Sequence, residues 1–399
     1  MILLQRGAAP TSPPERWAET VALELDGHDT VARARALAEG ADVLVSAGPY
    51  APGALAAMIC GDRPWFADVP GDPLAELQAL AIAEPDAPDL PARAAAGARV
   101  ARLVLSRADA FSAISQAQRH ALIGQLGLLG RLSHPDPQER VAVVPVAWRF
   151  PSPAQPARAR GPGDPLVVAL AGGFNSWFDE GAAIAGLSEA LDRAPQLSMI
   201  ALGGGISGHY SKGYARFQAW AASRPGRVTL SPWAPERALP ALLAPAHVGL
   251  CLDRAGYEAE LGSRTRLLFF SHQGLLALGT ARAELAQHMA EIGGLRPIPP
   301  GEPPALARAL VALVHQPSPR AEIDAAAAAL AERYAPQRVS APLLAWLEAP
   351  RRSPPATDAE TALNAQIAAL NAELAAVQQS PTWRALAAGH RLVRRLTRT

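Results

Sequence analysis

Cysteine is nearly absent from this chain, with only Cys60 and Cys251 among 399 residues. The two lie far apart, each in an apolar run, which argues against a disulfide framework. Buried free thiols in a reducing compartment are the expected state. No Cys or His spacing suits a metal site. Lysine is reduced to Lys212, and 37 basic residues nearly balance 36 acidic ones, for a net charge of +1. The strong basic field that a nucleic-acid partner requires is therefore missing. No run approaches the about 20 apolar residues of a membrane span. The opening Met1-Ile-Leu-Leu-Gln-Arg is too short an apolar run for a signal peptide. A cytoplasmic protein is the resulting expectation. Aromatic residues make up only 5%, so alanine, leucine and valine must build the core.

What is present is alternation. The 49% hydrophobic content suffices for more than one core. Short apolar runs read as strands at Asp42–Ser46, Pro64–Val69, Ala110–Ser115, Val141–Val146, Leu166–Ala171, Leu197–Leu202, Val228–Ser231 and His247–Leu252. Helical patterns lie between them at Leu90–Leu105, Gln116–Leu132, Trp177–Arg193 and Tyr214–Ser223. This order predicts an α/β protein with parallel sheets and helices on both faces. The stretch Phe150–Pro165 carries five prolines and two glycines and continues neither a strand nor a helix. It reads as a linker over 151–165, dividing the chain into units of residues 1–150 and 166–348. Open α/β sheets bind ligands beyond the carboxyl ends of their strands, so a ligand cleft is expected between the two units. Residues 337–348 are expected to cross back toward the first.

A second break at 349–357 precedes a different texture. Leu363, Ile367, Leu370, Leu374 and Val377 form an a/d seam of about two heptads, a candidate for self-association. Ser380 and Pro381 then open a helix that carries Trp383, Arg384, Arg391, Arg394, Arg395 and Arg398. An amphipathic end of this kind over 383–398 either rests on anionic lipid or is an arginine-rich solvated tail.

Three clusters are suited to chemistry. The strand Leu166–Ala171 runs into Gly172-Gly173-Phe174-Asn175-Ser176 and a helix. Glycines at such a turn let backbone N–H groups approach an anion, although Asn175 or Ser176 could simply cap the helix. The strand Leu197–Leu202 ends in Gly203, Gly204 and Gly205. Neither turn has the spacing of a dinucleotide fingerprint or a P-loop, which disfavours hydride transfer and ATP hydrolysis. The third cluster runs from Asp253 to Arg266 and contains Glu258, Glu260, Ser263, Arg264 and Thr265. Its carboxylates suit sugar hydroxyls, and Arg264 and Arg266 suit a diphosphate. The structural alternative for Arg264 is an ion pair with Glu258 or Glu260.

At these residues the sequence resembles the retaining GT-B glycosyltransferases, broadly glycosyltransferase family 4, in a bacterial surface-polysaccharide branch. The likeness rests on Phe66–Glu76, Ser115–Gly124, Gly172–Asn175, Arg227–Leu243 and Glu260–Arg266. The resemblance implies GT-B architecture, two Rossmann-like domains facing across a cleft, with a C-terminal helical extension. It implies a nucleotide-sugar donor bound by the second half and a glycan or lipid-linked acceptor bound by the first, with no metal or other cofactor. Carried over by position, Gly172, Gly173 and Asn175 face the donor phosphates and Gly203, Gly204 and Gly205 line the nucleotide side. Val228 to Trp233 pass the base. Glu260, Ser263, Arg264 and Thr265 sit by the ribose, diphosphate and sugar, with Glu260 and Arg264 as the catalytic pair. Phe269 stands where the family has a second carboxylate, and the first half is short by about one βαβ unit. These departures favour the alternative of a GT-B-like partner subunit without catalysis. A nucleotide-sugar epimerase is a more distant one.

Overall fold

The computed structural model describes residues 2–6, 19–23, 30–132, 140–150, 154–206, 210 and 212–353. The expected seam at 363–377 and the basic helix at 383–398 lie outside these residues. Twelve strands are present among those described, all in parallel ladders. A two-stranded sheet pairs β1 (Ile2–Arg6) with β2 (Glu19–Leu23). A four-stranded sheet follows chain order, with β3 (Leu44–Ala47), β4 (Trp65–Val69), β5 (Ala110–Ala113) and β6 (Val141–Val143).

The larger sheet holds β7 (Leu166–Gly173), β8 (Leu197–Gly204), β9 (Val228–Ser231), β10 (Val248–Cys251), β11 (Leu276–Gly279) and β12 (Leu295–Pro297). Its spatial order is β12-β11-β10-β7-β8-β9. The order reverses between β7 and β10, the doubly wound pattern that opens a crevice at their carboxyl ends. The sheet is covered on both faces, which is why β7, β10 and β11 read as nearly unbroken apolar runs. One core layer joins Leu170, Met199 and Leu250 to Leu187 of the helix Glu180–Arg193 and Leu310 of the helix Pro303–Val314. On the opposite face Ala169, Cys251 and Ala277 meet Leu267 and Phe270 of the helix Thr265–His272 and Leu330 of the helix Arg320–Arg333. The first unit has its own core around Trp65, Phe111, Leu122 and Leu126. The expected α/β class with parallel sheets is thus observed. Cys60 and Cys251 are both buried and unbonded.

The differences from the sequence reading are local. Strands β2, β11 and β12 are additions to the eight runs expected from the sequence. The helix expected from Trp177 starts at Glu180, with Asp179 as its cap accepting from Ala182 N at 3.0 Å. The described part of the proline-rich segment has no regular structure but is not loose. Arg160 is buried and donates to the carbonyls of Leu313, Val314 and Gln316, at the carboxyl end of the helix Pro303–Val314. A guanidinium there satisfies orphan carbonyls and opposes the helix dipole.

The chain crosses back near its end. The helix Ala341–Glu348 brings Trp346 to within 5.4 Å of the Phe66 ring, centroid to centroid, on β4. Ser353 N then donates to Asp109 Oδ1 at 2.7 Å and Ser353 Oγ to Asp109 O at 2.9 Å. Asp109 also accepts from Trp65 N at 2.9 Å, so the return stroke is tied into the first sheet.

Packing inside the larger unit is tight at Gly249 on β10, where an added Cβ would fall among the ring atoms of Phe270. Gly249→Ala should therefore destabilise the fold by about 1–3 kcal/mol, the usual cost of an overpacked core. Ala at Gly226, where no atom lies within 4 Å of the added carbon, meets no such clash and only its positive φ opposes it. Denaturant melts of the two variants should separate overpacking from backbone strain.

Candidate functional site

The crevice between β7 and β10 is floored by glycine. Strands β7 and β8 stay in register to their last residues, with Gly172 opposite Gly203 and Gly173 opposite Gly204. Gly172 and Gly203 take φ of +107° and +109°, a region that L side chains avoid. A Cβ on Gly203 would clash with the carbonyl oxygen of Gly172, and one on Gly173 with Ile206. The two strand ends therefore lie bare, and backbone forms the surface a ligand would touch.

Above this floor is a cavity of about 510 Å³. Gly172, Gly173, Asn175, Gly203, Trp233, Glu236, Thr265, Arg266 and Phe269 line it together with Arg149 and Phe150 of the hinge segment. Arg266 is half-buried and donates to Gly173 O at 2.9 Å, with its guanidinium carbon 5.6 Å from the Phe178 ring centroid. Its Nη2 is 3.6 Å from where a Gly172 Cβ would be. A cation is thus held beside the glycine turn. Trp233 stands at the β9 side, 57% exposed, with its indole N–H donating to Gly205 O at 3.3 Å. The hinge wall is aromatic: Phe150 stacks on His272 at 4.3 Å and lies 6.2 Å from Phe269.

Five of the positions expected from the sequence, Gly172, Gly173, Asn175, Gly203 and Thr265, line this cavity. The others lie elsewhere. Gly204 packs under Tyr214, and Gly205 receives the Trp233 indole. Ser263 lines a second cavity of about 300 Å³ with Ser115, Gln116, Glu284 and Arg333, at the junction of the two halves. Glu260 is ion-paired with Arg282 and lines neither cavity.

Arg264 takes the structural alternative. Its side chain is 3% exposed, its Nε lies 2.8 Å from Asp253 Oδ2, and its Nη2 lies 2.6 Å from Glu258 Oε2. A guanidinium enclosed by two carboxylates has no free face for a diphosphate, and Arg266 is the cation that reaches the cavity. The sequence placed both carboxylates in the same segment as Arg264, a signal that a buried ion cluster was possible. Trp233 lies in the stretch expected to pass the base and Glu236 in the wider stretch Arg227–Leu243, which was given no site role at Glu236; Arg149 carried no sequence signal. Asp253 is held further by Thr280, whose Oγ1 accepts from Asp253 N at 2.9 Å and donates to its Oδ2 at 3.1 Å. Burial pushes the Glu258 carboxyl up to about 7, against the pull of Arg264 and with repulsion from Asp253 added.

The same segment bridges the halves. The short helix Tyr257–Leu261 packs on the helix Pro73–Ala83 of the first unit. Tyr257 N donates to Gln78 Oε1 at 2.9 Å, and Ser115 Oγ donates to Leu261 O at 3.0 Å. Gln116 N donates to Glu284 Oε2 at 2.6 Å. Ser115 also caps the helix Gln116–Leu128, accepting from Gln118 N at 3.1 Å. Among the described residues no group of three or more His, Cys, Asp or Glu side chains is placed to hold a metal ion.

Two measurements check the ion cluster. Arg264→Ala should cost about 3–5 kcal/mol, because it strands two buried carboxylates. Arg338→Ala, which breaks an exposed pair with Glu332, should cost no more than about 1 kcal/mol. The second concerns pH. The folded chain holds the Glu258 proton more tightly than the unfolded chain, where the ordinary value is 4.5. Its contribution to stability should therefore decline as pH rises from about 4.5 to about 7 and be level above that. Glu258→Gln should flatten this part of the profile; a slope that persists unchanged would assign it to another group.

No family model matches the sequence, and no curated protein does. Solved structures do match in fold. The sucrose-phosphate synthase of Thermosynechococcus elongatus superposes with a TM-score of 0.62 at 15% identity, covering 87% of this chain and 88% of its own. HepE of Anabaena, solved with UDP-glucose, gives 0.59 at 17% identity over 83% of this chain and 86% of its own. A UDP-forming α,α-trehalose-phosphate synthase of Burkholderia vietnamiensis gives 0.57 at 12% identity, covering 80% and 77%. With its parallel sheets and the crevice between β7 and β10, this chain has the GT-B architecture of those glycosyltransferases.

Proposed function

We propose that the chain is a glycosyltransferase that moves a sugar from a nucleotide-diphosphate donor to a surface-glycan or lipid-linked acceptor, with retention at the anomeric carbon and without a metal ion. The observation that carries this reading is the placement of Arg266 beside the bare strand ends Gly172 and Gly203, with Trp233 across the same cavity. A nucleoside diphosphate has two charged groups and one flat one, and the cavity offers a cation, a backbone floor and an aromatic plate. The similar structures include HepE with UDP-glucose and a UDP-forming synthase, which supports a donor of this class.

In this reading the anomeric C–O bond breaks and its electron pair leaves with the diphosphate. Arg266 and the glycine-turn N–H groups stabilise the charge that develops there. The acceptor hydroxyl attacks from the face the diphosphate has left, and its proton passes to a phosphate oxygen. Asn175 and Thr265 stand at the phosphate and sugar side of the cavity. The second unit holds the donor, and the first presents the acceptor.

A second reading has a specific observation behind it. Phe269 and Phe150 make an apolar wall where the family places a hydroxyl-binding carboxylate, as a partner subunit that binds without turnover would tolerate. The outer segments carry two proposals of their own: self-association through 363–377, and peripheral contact with anionic membrane on the cytoplasmic side through 383–398. No helix among the described residues is long and apolar enough to cross a membrane.

Arg266→Ala tests the donor site. Nucleoside-diphosphate affinity should fall by about 1.5–3 kcal/mol, the scale of a charge-assisted hydrogen bond. Affinity for the bare nucleoside should hardly change. Equal losses for both ligands in titration calorimetry would remove Arg266 from the phosphate role. Release of free nucleoside diphosphate from a panel of nucleotide sugars separates the enzyme from the silent subunit. For the tail, deleting residues 358–399 should lower the mass seen by light scattering and abolish salt-sensitive pelleting with anionic vesicles. Unchanged mass and unchanged pelleting would dismiss both tail proposals.

A further inference from the structure

The base end of the cavity contains a group that the reading above leaves unused. Glu236 lies in the turn just beyond β9, three residues after Trp233, and lines the same cavity. It is exposed, and among the described residues its carboxylate has no hydrogen-bond or ion-pair partner. The other charged residues lining the cavity, Arg149 and Arg266, are cations. Arg266 is anchored at the far side, by the strand end of β7.

Covalent order fixes how a nucleoside diphosphate spans this space. With its phosphates at Arg266, its base falls toward the β9 side, where the indole of Trp233 is exposed. The indole is tied in place by its bond to Gly205 O, so a stacking plate is held ready. Glu236, three residues on and lining the same cavity, is the acidic side chain available to the edge of a base stacked there.

An ionised carboxylate only accepts hydrogen bonds. Uracil and thymine flank their single N–H with two carbonyl oxygens, which a carboxylate repels. Adenine and cytosine set a ring acceptor beside their amino group. Guanine alone places two donors side by side, N1–H and the N2 amino group, matching the two oxygens of a carboxylate. We propose that the base read at Trp233 is guanine, with the Glu236 carboxylate accepting from its N1–H and N2–H, so that the donor is a guanosine-diphosphate sugar. This rests on the donor-site reading given above and narrows it.

Titration calorimetry with GDP, UDP and ADP on the full chain and on Glu236→Gln tests the assignment. GDP should bind the unaltered chain at least about tenfold more tightly than UDP or ADP, the scale of a charge-assisted hydrogen bond. Glu236→Gln should erase most of that preference while leaving UDP affinity within about twofold, and its melting temperature should be unchanged, since exposed substitutions of this kind are near neutral. UDP binding as tightly as GDP to the unaltered chain overturns the guanine assignment and leaves the donor site standing. Equal weakening of all three nucleotides by Glu236→Gln also overturns it, because the carboxylate would then be reading the pentose they share. If none of the three binds, the donor-site reading itself fails and the assignment fails with it.

Discussion

The site depends on one buried guanidinium. Arg264 binds Asp253 just beyond β10, Glu258 in the short helix that touches the first unit, and Ser263 O just before the helix Thr265–His272. The twelve residues from Asp253 to Arg264 are thereby pinned at both ends and in the middle. The cavity wall at Thr265 and Arg266 follows that loop directly, and the interdomain bonds of Tyr257 and Leu261 lie within it. A loop held only by its termini would sample many conformations. Two ion pairs in a low dielectric hold it to one.

That cluster explains why two arginines in one stretch have different uses. Arg264 spends its ion pairs and hydrogen bonds inside the protein, which removes it from any encounter with ligand. Arg266 makes one bond to Gly173 O and remains half-buried at the cavity edge. Sequence alone offered two equivalent cations. Burial decides between them, and burial is a property of the packed loop rather than of either residue.

Much of the architecture was legible because strand–helix alternation is a long-range pattern. Eight strands could be read from apolar runs and turn residues. The glycine turns at Gly172 and Gly203 were legible too, since a glycine after a buried strand has few other uses. Less legible were groups whose role comes from tertiary placement: Glu236 and Arg149 are ordinary surface residues in sequence, and Trp233 is one of eight tryptophans. Glu260 looked equally suited to a sugar hydroxyl, yet its partner Arg282 is 22 residues away and arrives only with the fold. Ser263, by the same logic, was drawn to the junction cavity instead of the crevice.

The return of residues 341–353 to the first sheet gives the two halves a second covalent strap besides the segment after β6. Two covalent connections between the halves leave less relative freedom than one would. The return also decides which half the rest of the chain hangs from. Ser353 lies beside Asp109, on the first unit. Anything that takes hold of the residues beyond it therefore pulls first on that unit, and reaches the half with the glycine turns only through the contacts between them.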